Sequence, residues 1–294
     1  MIARSTKPLV LLCLQVLLLG SCTAQTTATD FPDAASSRTN DASANHGSGE
    51  KQGETGPGGS GSGGGGGSAG GGGGGSGFRY PDDERVGDMA VSYISADHAT
   101  RLVVEVDYVR GREPSQAVLD HVRAILQRDL DKPQGITVRR GNAFEGPRDR
   151  YTIDEIRTLE NLHRSSHSSG STATMWIAYL NGSYAESSGV LGVAYRASSA
   201  AIFAERIEEA ATQVLRPASI ERSVVTHEVG HLLGLVNIGY TSAFDHEDAA
   251  HPGHSSNEGS VMYWQIEDIS IRNLLGGPPD DFDEMDRADL AARR

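Results

Sequence analysis

Cysteine is nearly absent from this 294-residue chain: Cys13 and Cys22 are its two, both within the first 22 residues. No disulfide framework is available to the rest, so a folded domain must rest on its apolar core, helped at most by a metal. Residues 23–77 are almost without large apolar side chains. Thr, Ser, Asp and Ala come first, and Gly dominates from Gly53 to Gly77. Such a segment buries too little to offset its ordering entropy, and it reads as a flexible tether spanning roughly 40 Å end to end. It also lacks the strand and helix that flank a phosphate-cradling Gly loop. Basic residues are outnumbered, 26 against 39 acidic, for a net charge of -13. That balance argues against nucleic acid as a partner. No internal repeat is present.

What is present begins with Arg4 and Lys7, followed by an apolar run from Leu9 to Leu19. The run is the length of a signal-peptide core and too short to span a bilayer comfortably. Leu19-Gly-Ser-Cys22 follows directly. This order resembles the bacterial lipobox, in which the cysteine becomes the lipidated first residue of the mature chain. The resemblance implies a signal peptide over 1–21, a tether over 22–77 and a lipid anchor at Cys22. The chain would then sit in the cell envelope, at the outer membrane or cell surface, without a transmembrane helix. The alternative is an ordinary cleaved signal ending near a cysteine.

The folded domain is expected over 78–294, a length that suits one core. Leu102–Val109 alternates and is rich in β-branched residues, which predicts a strand. Pro114–Leu130 places Val118, Val122, Ile125 and Leu126 at helical spacing, with Pro114 suited to a first turn. Gly135–Val138 reads as a short strand and Ile153–Leu162 as a weaker helix. Thr174–Leu180 reads as a strand that ends at the Asn181-Gly182 turn signal. Val190–Ala194 reads as extended, and Ile202–Leu215 as strand then helix. A βαβ-like start followed by a helical half predicts an α+β domain with a mixed sheet and packed helices.

The strongest helical pattern runs from Ser219 to Val236. Val225, Val229, Leu232, Leu233 and Val236 form its core-facing stripe, and Ser219 suits an N-cap. Beside the stripe stands His227-Glu-Val-Gly-His231. The i, i+4 spacing stacks both imidazoles on one side of the helix, where they can fill two corners of a tetrahedral zinc site. Glu228, rotated by roughly 100°, flanks such a metal rather than ligating it. There it can serve as general base and then acid. Gly230 and Gly234 each cost a helix interior roughly 1 kcal/mol against Ala, which a purely structural helix has no reason to accept. Gly234 is also placed to end the helix in a left-handed turn.

His227-Glu-Val-Gly-His-Leu-Leu-Gly234 resembles the HExxHxxG signature of the metzincin metallopeptidases. Ser260-Val-Met-Tyr-Trp264 is similar to their Met-turn, in which a methionine forms an apolar base beneath the metal. Gly189-Val-Leu-Gly-Val-Ala194 is similar to the edge strand that pairs with extended substrate, a case of β-augmentation. The resemblance implies an active-site helix carrying HExxH, a small irregular C-terminal subdomain with the Met-turn, a Zn2+ cofactor and hydrolysis of a protein or peptide. It departs at the third ligand, where metzincins carry His or Asp and this chain has Asn237. An amide is a poor zinc ligand. His254-Ser-Ser-Asn-Glu-Gly-Ser-Val-Met262 resembles the archaemetzincin pattern His-Cys-x4-Cys-x-Met, with Ser255 and Ser260 replacing both cysteines. That match implies His254 as third ligand and the loss of the family's second, structural zinc. His246, His251 and Asn237 stay open as alternatives. Tyr263 reads either as a phenol donor to an oxyanion or as a packed neighbour of the Met-turn. His98, His121, His163 and His167 read as surface or packed residues, and Asp280–Glu284 as the start of a C-terminal helix.

The residues therefore predict a zinc endopeptidase acting outside the cytoplasm, with metal ligands His227, His231 and His254 and Glu228 as base. A thermolysin-like alternative needs Glu247 or Glu258 as third ligand, and it lacks a use for the Met-turn. A second alternative, from another class, is an envelope-anchored binding or scaffold module that keeps a metal site without catalysis.

Overall fold

The alternating run at Leu102 becomes β1, Arg101–Val109, flanked in the chain by the short α1, Ala90–Ile94, and by α2, Gln116–Asp129. The computed structural model describes residues 79–146 and 148–294; the signal-like run, Cys22 and the Gly-rich segment lie outside them. Next come β2 (Ile136–Phe144), β3 (Arg150–Tyr151), α3 (Ile153–His163), β4 (Thr172–Leu180), β5 (Ser183–Tyr184), β6 (Gly192–Arg196), β7 (Ser199–Phe203) and α4 (Ala204–Ala210). The remainder is α5 (Pro217–Leu232), β8 (Glu247–Asp248), β9 (His251–Ser255), two 3-10 turns and α6 (Glu284–Ala291). No helix among the described residues is long and apolar enough to cross a membrane.

The main sheet has the order β2-β1-β4-β7-β6. Its pairings are parallel except at the edge, where β6 runs antiparallel to β7. The sheet is thus mixed, as expected. Helices α2 and α3 separate β1, β2 and β4, whereas β4, β6 and β7 follow one another without a helix, so the arrangement is a mixed α/β fold with a mostly parallel sheet rather than the α+β division expected. Helices cover both faces of the sheet, as mostly parallel sheets require. The central strand β4 shows this: Met175, Ile177 and Tyr179 face one core, and Trp176, Ala178 and Leu180 face the other. The first core is closed by Val118, Val122, Ile125 and Leu126 of α2 and by Val224, Val225 and Val229 of α5. The second is closed by Ile156 of α3. A period of two along a strand buried on both sides produces both sets.

Local chemistry sets the helix starts. Ser115, not Pro114, caps α2, its hydroxyl accepting from the Val118 amide at 3.2 Å. Thr152 and Glu155 form a capping box on α3. Ser219 does not cap α5, because Pro217 sits in the first turn and holds Arg216 extended (φ -79, ψ 144). Proline restricts the residue before it in this way and fits a first helical position. Gly135–Val138 proves to be the start of a nine-residue strand, and Asn181-Gly182 leads into β5, which pairs in parallel with β3 rather than closing a hairpin.

Beyond α5 the chain is irregular. Asp283 caps α6 and forms a capping box with Asp286, as the acidic start of this segment suggests. Asp286 is fully buried. Burial, then the Asp283 charge, pushes its carboxyl up to about 7.

Candidate metal centre

Helix α5 carries His227 and His231 one turn apart on its buried side. Their Nε2 atoms stand 2.9 Å apart, with the rings edge to face. His227 Nδ1 lies 2.7 Å from the Val261 carbonyl oxygen. A carbonyl only accepts, so Nδ1 carries the proton and Nε2 presents its lone pair to the cluster. The hairpin of β8 and β9 brings His254 to the same point. Its ring centroid lies 5.3 Å from that of His227 and 5.0 Å from that of His231. A fourth group completes the set: Glu267, from the 3-10 turn Trp264–Glu267. Its carboxylate is 3.3 Å from His254 Nε2, 3.6 Å from His227 Nε2 and 3.9 Å from His231 Nε2. Ligand atoms of all four residues lie within 4.8 Å of one another.

The donors fit a zinc ion. Two ligands bound at 2.0–2.1 Å on a tetrahedral ion stand roughly 3.3 Å apart, and the separations from 2.9 to 3.9 Å bracket that value. Imidazole and carboxylate are also ligand types that zinc prefers. The Nε2–Nε2 approach points the same way, because two facing lone pairs repel unless a proton or a cation lies between them. His231 Nδ1 is buried without a hydrogen bond. Burial, then its two histidine neighbours, holds His231 well below the usual imidazole range, so it stays neutral and able to ligate.

Glu228 is fully buried beside the cluster. Its oxygens meet no hydrogen bond of normal geometry, although the Ala194 amide lies near enough to moderate their charge. Burial, then the Glu267 charge, pushes its carboxyl well up. Burial acts on Glu267 in the same sense, but His254 and His227 outweigh it and hold that carboxyl well below the usual range. Gly192 on β6 explains how Glu228 fits: a Cβ there would fall 2.5 Å from Glu228 Oε1 and 2.8 Å from Val224.

Met262 is fully buried, and a Cβ on Gly230 would run into its sulfur and meet the Phe282 ring at 3.1 Å. Glycine inside α5 is therefore the condition for Met262 to pack this close to the helix. Gly230→Ala is expected to displace Met262 and lower the melting temperature, at an overpacking cost of about 1–3 kcal/mol. Thermal unfolding measures this, and an unchanged melting temperature would contradict the packing account. Gly234 takes φ +76, and the Leu235 amide closes on the Gly230 carbonyl at 3.1 Å, ending the helix in a left-handed turn at Leu232 rather than Val236.

The other sequence candidates lie elsewhere. Asn237 is left-handed (φ +65), which Asn tolerates. Its amide donates to Glu247 at 2.6 Å and accepts from the Ser242 amide at 2.7 Å, so it ties the loop together outside the cluster. Glu247 is occupied by that bond and by the Gly253 amide. Glu258 is outside the cluster. His251 pairs with Asp248 at 2.6 Å and stacks on Trp264, while His246 lies buried between Asp286 and Asp289. Ser255 and Ser260 hold the loop around Met262 through hydrogen bonds. The Ser255 amide donates to the Met262 carbonyl, and the Ser260 hydroxyl accepts from the Met262 amide and donates to Asp286. Tyr263 is half-buried against the main core. His121 donates to the Asp280 carbonyl and His163 stacks on Phe144, both as packed residues.

Glu267 is the residue that sequence reasoning missed. It falls in no motif spacing, and only the fold of the 3-10 turn brings it to the histidines.

No family model and no curated protein matches this chain. Two solved structures do. The archaemetzincin of Methanopyrus kandleri is 15% identical, with a TM-score of 0.45, over 66% of this chain and 96% of that one. The archaemetzincin of Archaeoglobus fulgidus, solved with malonate, is 12% identical, with a TM-score of 0.38, over 65% of this chain and 99% of that one. At this degree of likeness, the functional reading has to come from the site.

Proposed function

We propose that this chain is a zinc-dependent endopeptidase that cleaves protein or peptide substrates. The supporting observation is the convergence of His227, His231 and His254, with the buried carboxyl of Glu228 one residue along α5 and outside the ligand set. His227, His231 and His254 would hold the metal. Zinc bound there supplies Lewis-acid chemistry, polarising a carbonyl and acidifying a water. Glu228 takes the proton of the attacking water and passes it to the leaving amine nitrogen. Val261 fixes the His227 ring through its carbonyl.

Glu267 favours a second reading. Four protein donors make a closed site, the usual form of a structural zinc, and that agrees with a scaffold module. Bound zinc and cleavage of an unstructured protein, measured on the same preparation, separate the two. Stoichiometric zinc with cleavage supports the peptidase, stoichiometric zinc without cleavage the scaffold, and no zinc removes both.

We also propose that the chain is anchored in the cell envelope by a lipid on Cys22, as the order of apolar run, small residues and cysteine supports. Labelled palmitate fed to a bacterial host is expected to enter the parent chain and not Cys22→Ala. Equal labelling of both would sink the anchor.

A further inference from the structure

Glu267 belongs to a segment that lies along the edge beside β6. The Leu191 amide donates to the Glu267 carbonyl at 2.6 Å, and the Ile269 amide donates to the Gly189 carbonyl at 2.8 Å. Between them, Val190 and Asp268 form an antiparallel bridge. This is how an extended peptide adds to a sheet edge, and Gly189–Ala194 is the stretch that the sequence offers to substrate. A Cβ on Gly189 would fall 2.5 Å from Asp268 Oδ2, so glycine at that position lets the two chains approach. The chain's own residues 267–269 thus occupy the peptide's place while the Glu267 side chain enters the metal centre.

We propose that Glu267 closes this centre at rest: its carboxylate fills the fourth position and its backbone covers the substrate edge, and both must be displaced before a peptide binds. The inference rests on the metallopeptidase reading. Three observations make Glu267 the displaceable member. Its side chain is 31% exposed, against 0%, 7% and 11% for His227, His231 and His254, so it stands on the solvent side. Its separations from the imidazoles are longer than the 2.9 Å between the two α5 histidines. It also ends one short 3-10 turn, Trp264–Glu267, with a second, Ile269–Asn273, close behind, rather than standing on a long element. Short 3-10 segments have poorer hydrogen-bond geometry than an α-helix.

Cobalt(II) accepts the same donors as zinc and reports its coordination by visible absorption. The full chain, Glu267→Ala and Glu267→Gln are loaded with cobalt and titrated with acetohydroxamate, a small bidentate metal-binding probe. A position filled by the chain lowers the apparent affinity of any competitor, so both variants are expected to half-saturate at a concentration at least about tenfold below the parent's. Glu267→Gln keeps the size and hydrogen-bonding capacity of the side chain and guards against a folding defect in Glu267→Ala. Equal titration of all three proteins would overturn the inference and leave the metallopeptidase reading intact. Loss of cobalt from both variants, with the parent loaded, would also overturn it by making Glu267 an indispensable ligand. A parent that takes up no cobalt would overturn the metallopeptidase reading and the inference with it.

Discussion

Glu228→Gln is expected to retain one zinc per chain and to lose about 10²–10⁴-fold in cleavage rate, the usual worth of a positioned acid–base group. The geometry separates the two readouts. Glu228 lies one residue after His227 on α5 but outside the four-residue ligand set, so metal retention should not depend on it. It is buried against Gly192 and Val224 at a spot where only a slim side chain fits. Glutamine matches its volume, so packing is preserved. Neither Glu228 oxygen has a hydrogen bond of normal geometry to lose, so the melting temperature is expected to hold. Metal analysis, cleavage of an unstructured protein and thermal unfolding on one preparation make the test. Full cleavage by Glu228→Gln would remove this residue from the chemistry. Loss of zinc in that variant would make it a ligand instead.

The second large effect is expected at His254. His254→Ala should weaken zinc binding by more than about hundredfold, because even the loss of groups that merely orient a ligand weakens binding by about 10–100-fold. It should also lose the rise in melting temperature that added zinc gives the parent, since a ligand bound to the folded state at 1,000 times its Kd stabilises by about 4 kcal/mol. Asn237→Ala is the contrasting variant. Asn237 occupies the position after the motif glycine where a third ligand is usual, yet its amide is spent on Glu247 and Ser242. It should keep zinc and lose only loop stability, seen as a lower melting temperature with the zinc-induced rise intact. A His254→Ala protein that still binds one zinc per chain would move the third ligand elsewhere. Loss of zinc in Asn237→Ala would point to the loop that carries His254 as the limiting element.

Several features were legible in the sequence because they are set by contacts close along the chain. The helix bearing His227 and His231 follows from a 3.6-residue period, and its end at Gly234 follows from a backbone angle that glycine adopts readily. The strand at Leu102 follows from alternation. The start of α5 was misplaced at Ser219 because a good capping residue competed with Pro217, and the fixed proline angle won. The parallel sheet was not legible either. Strand periodicity marks which side chains are buried but not which strands are neighbours, and both faces of β4 proved covered.

The sequence by itself determined the chemistry on offer: two imidazoles one turn apart, a carboxyl beside them, one glycine inside the helix and another just past its end, and a methionine downstream. The tertiary structure decided which distant residues join them. It brings His254 back through the β8–β9 hairpin, packs Met262 into the space that Gly230 leaves, and turns Asn237 away through a left-handed backbone. It also places Glu267 among the histidines, although no spacing in the sequence marks that residue. The physical reason is that periodicity reports contacts within one element. The geometry of a site built from three elements depends on loop closure and packing, which no local pattern encodes.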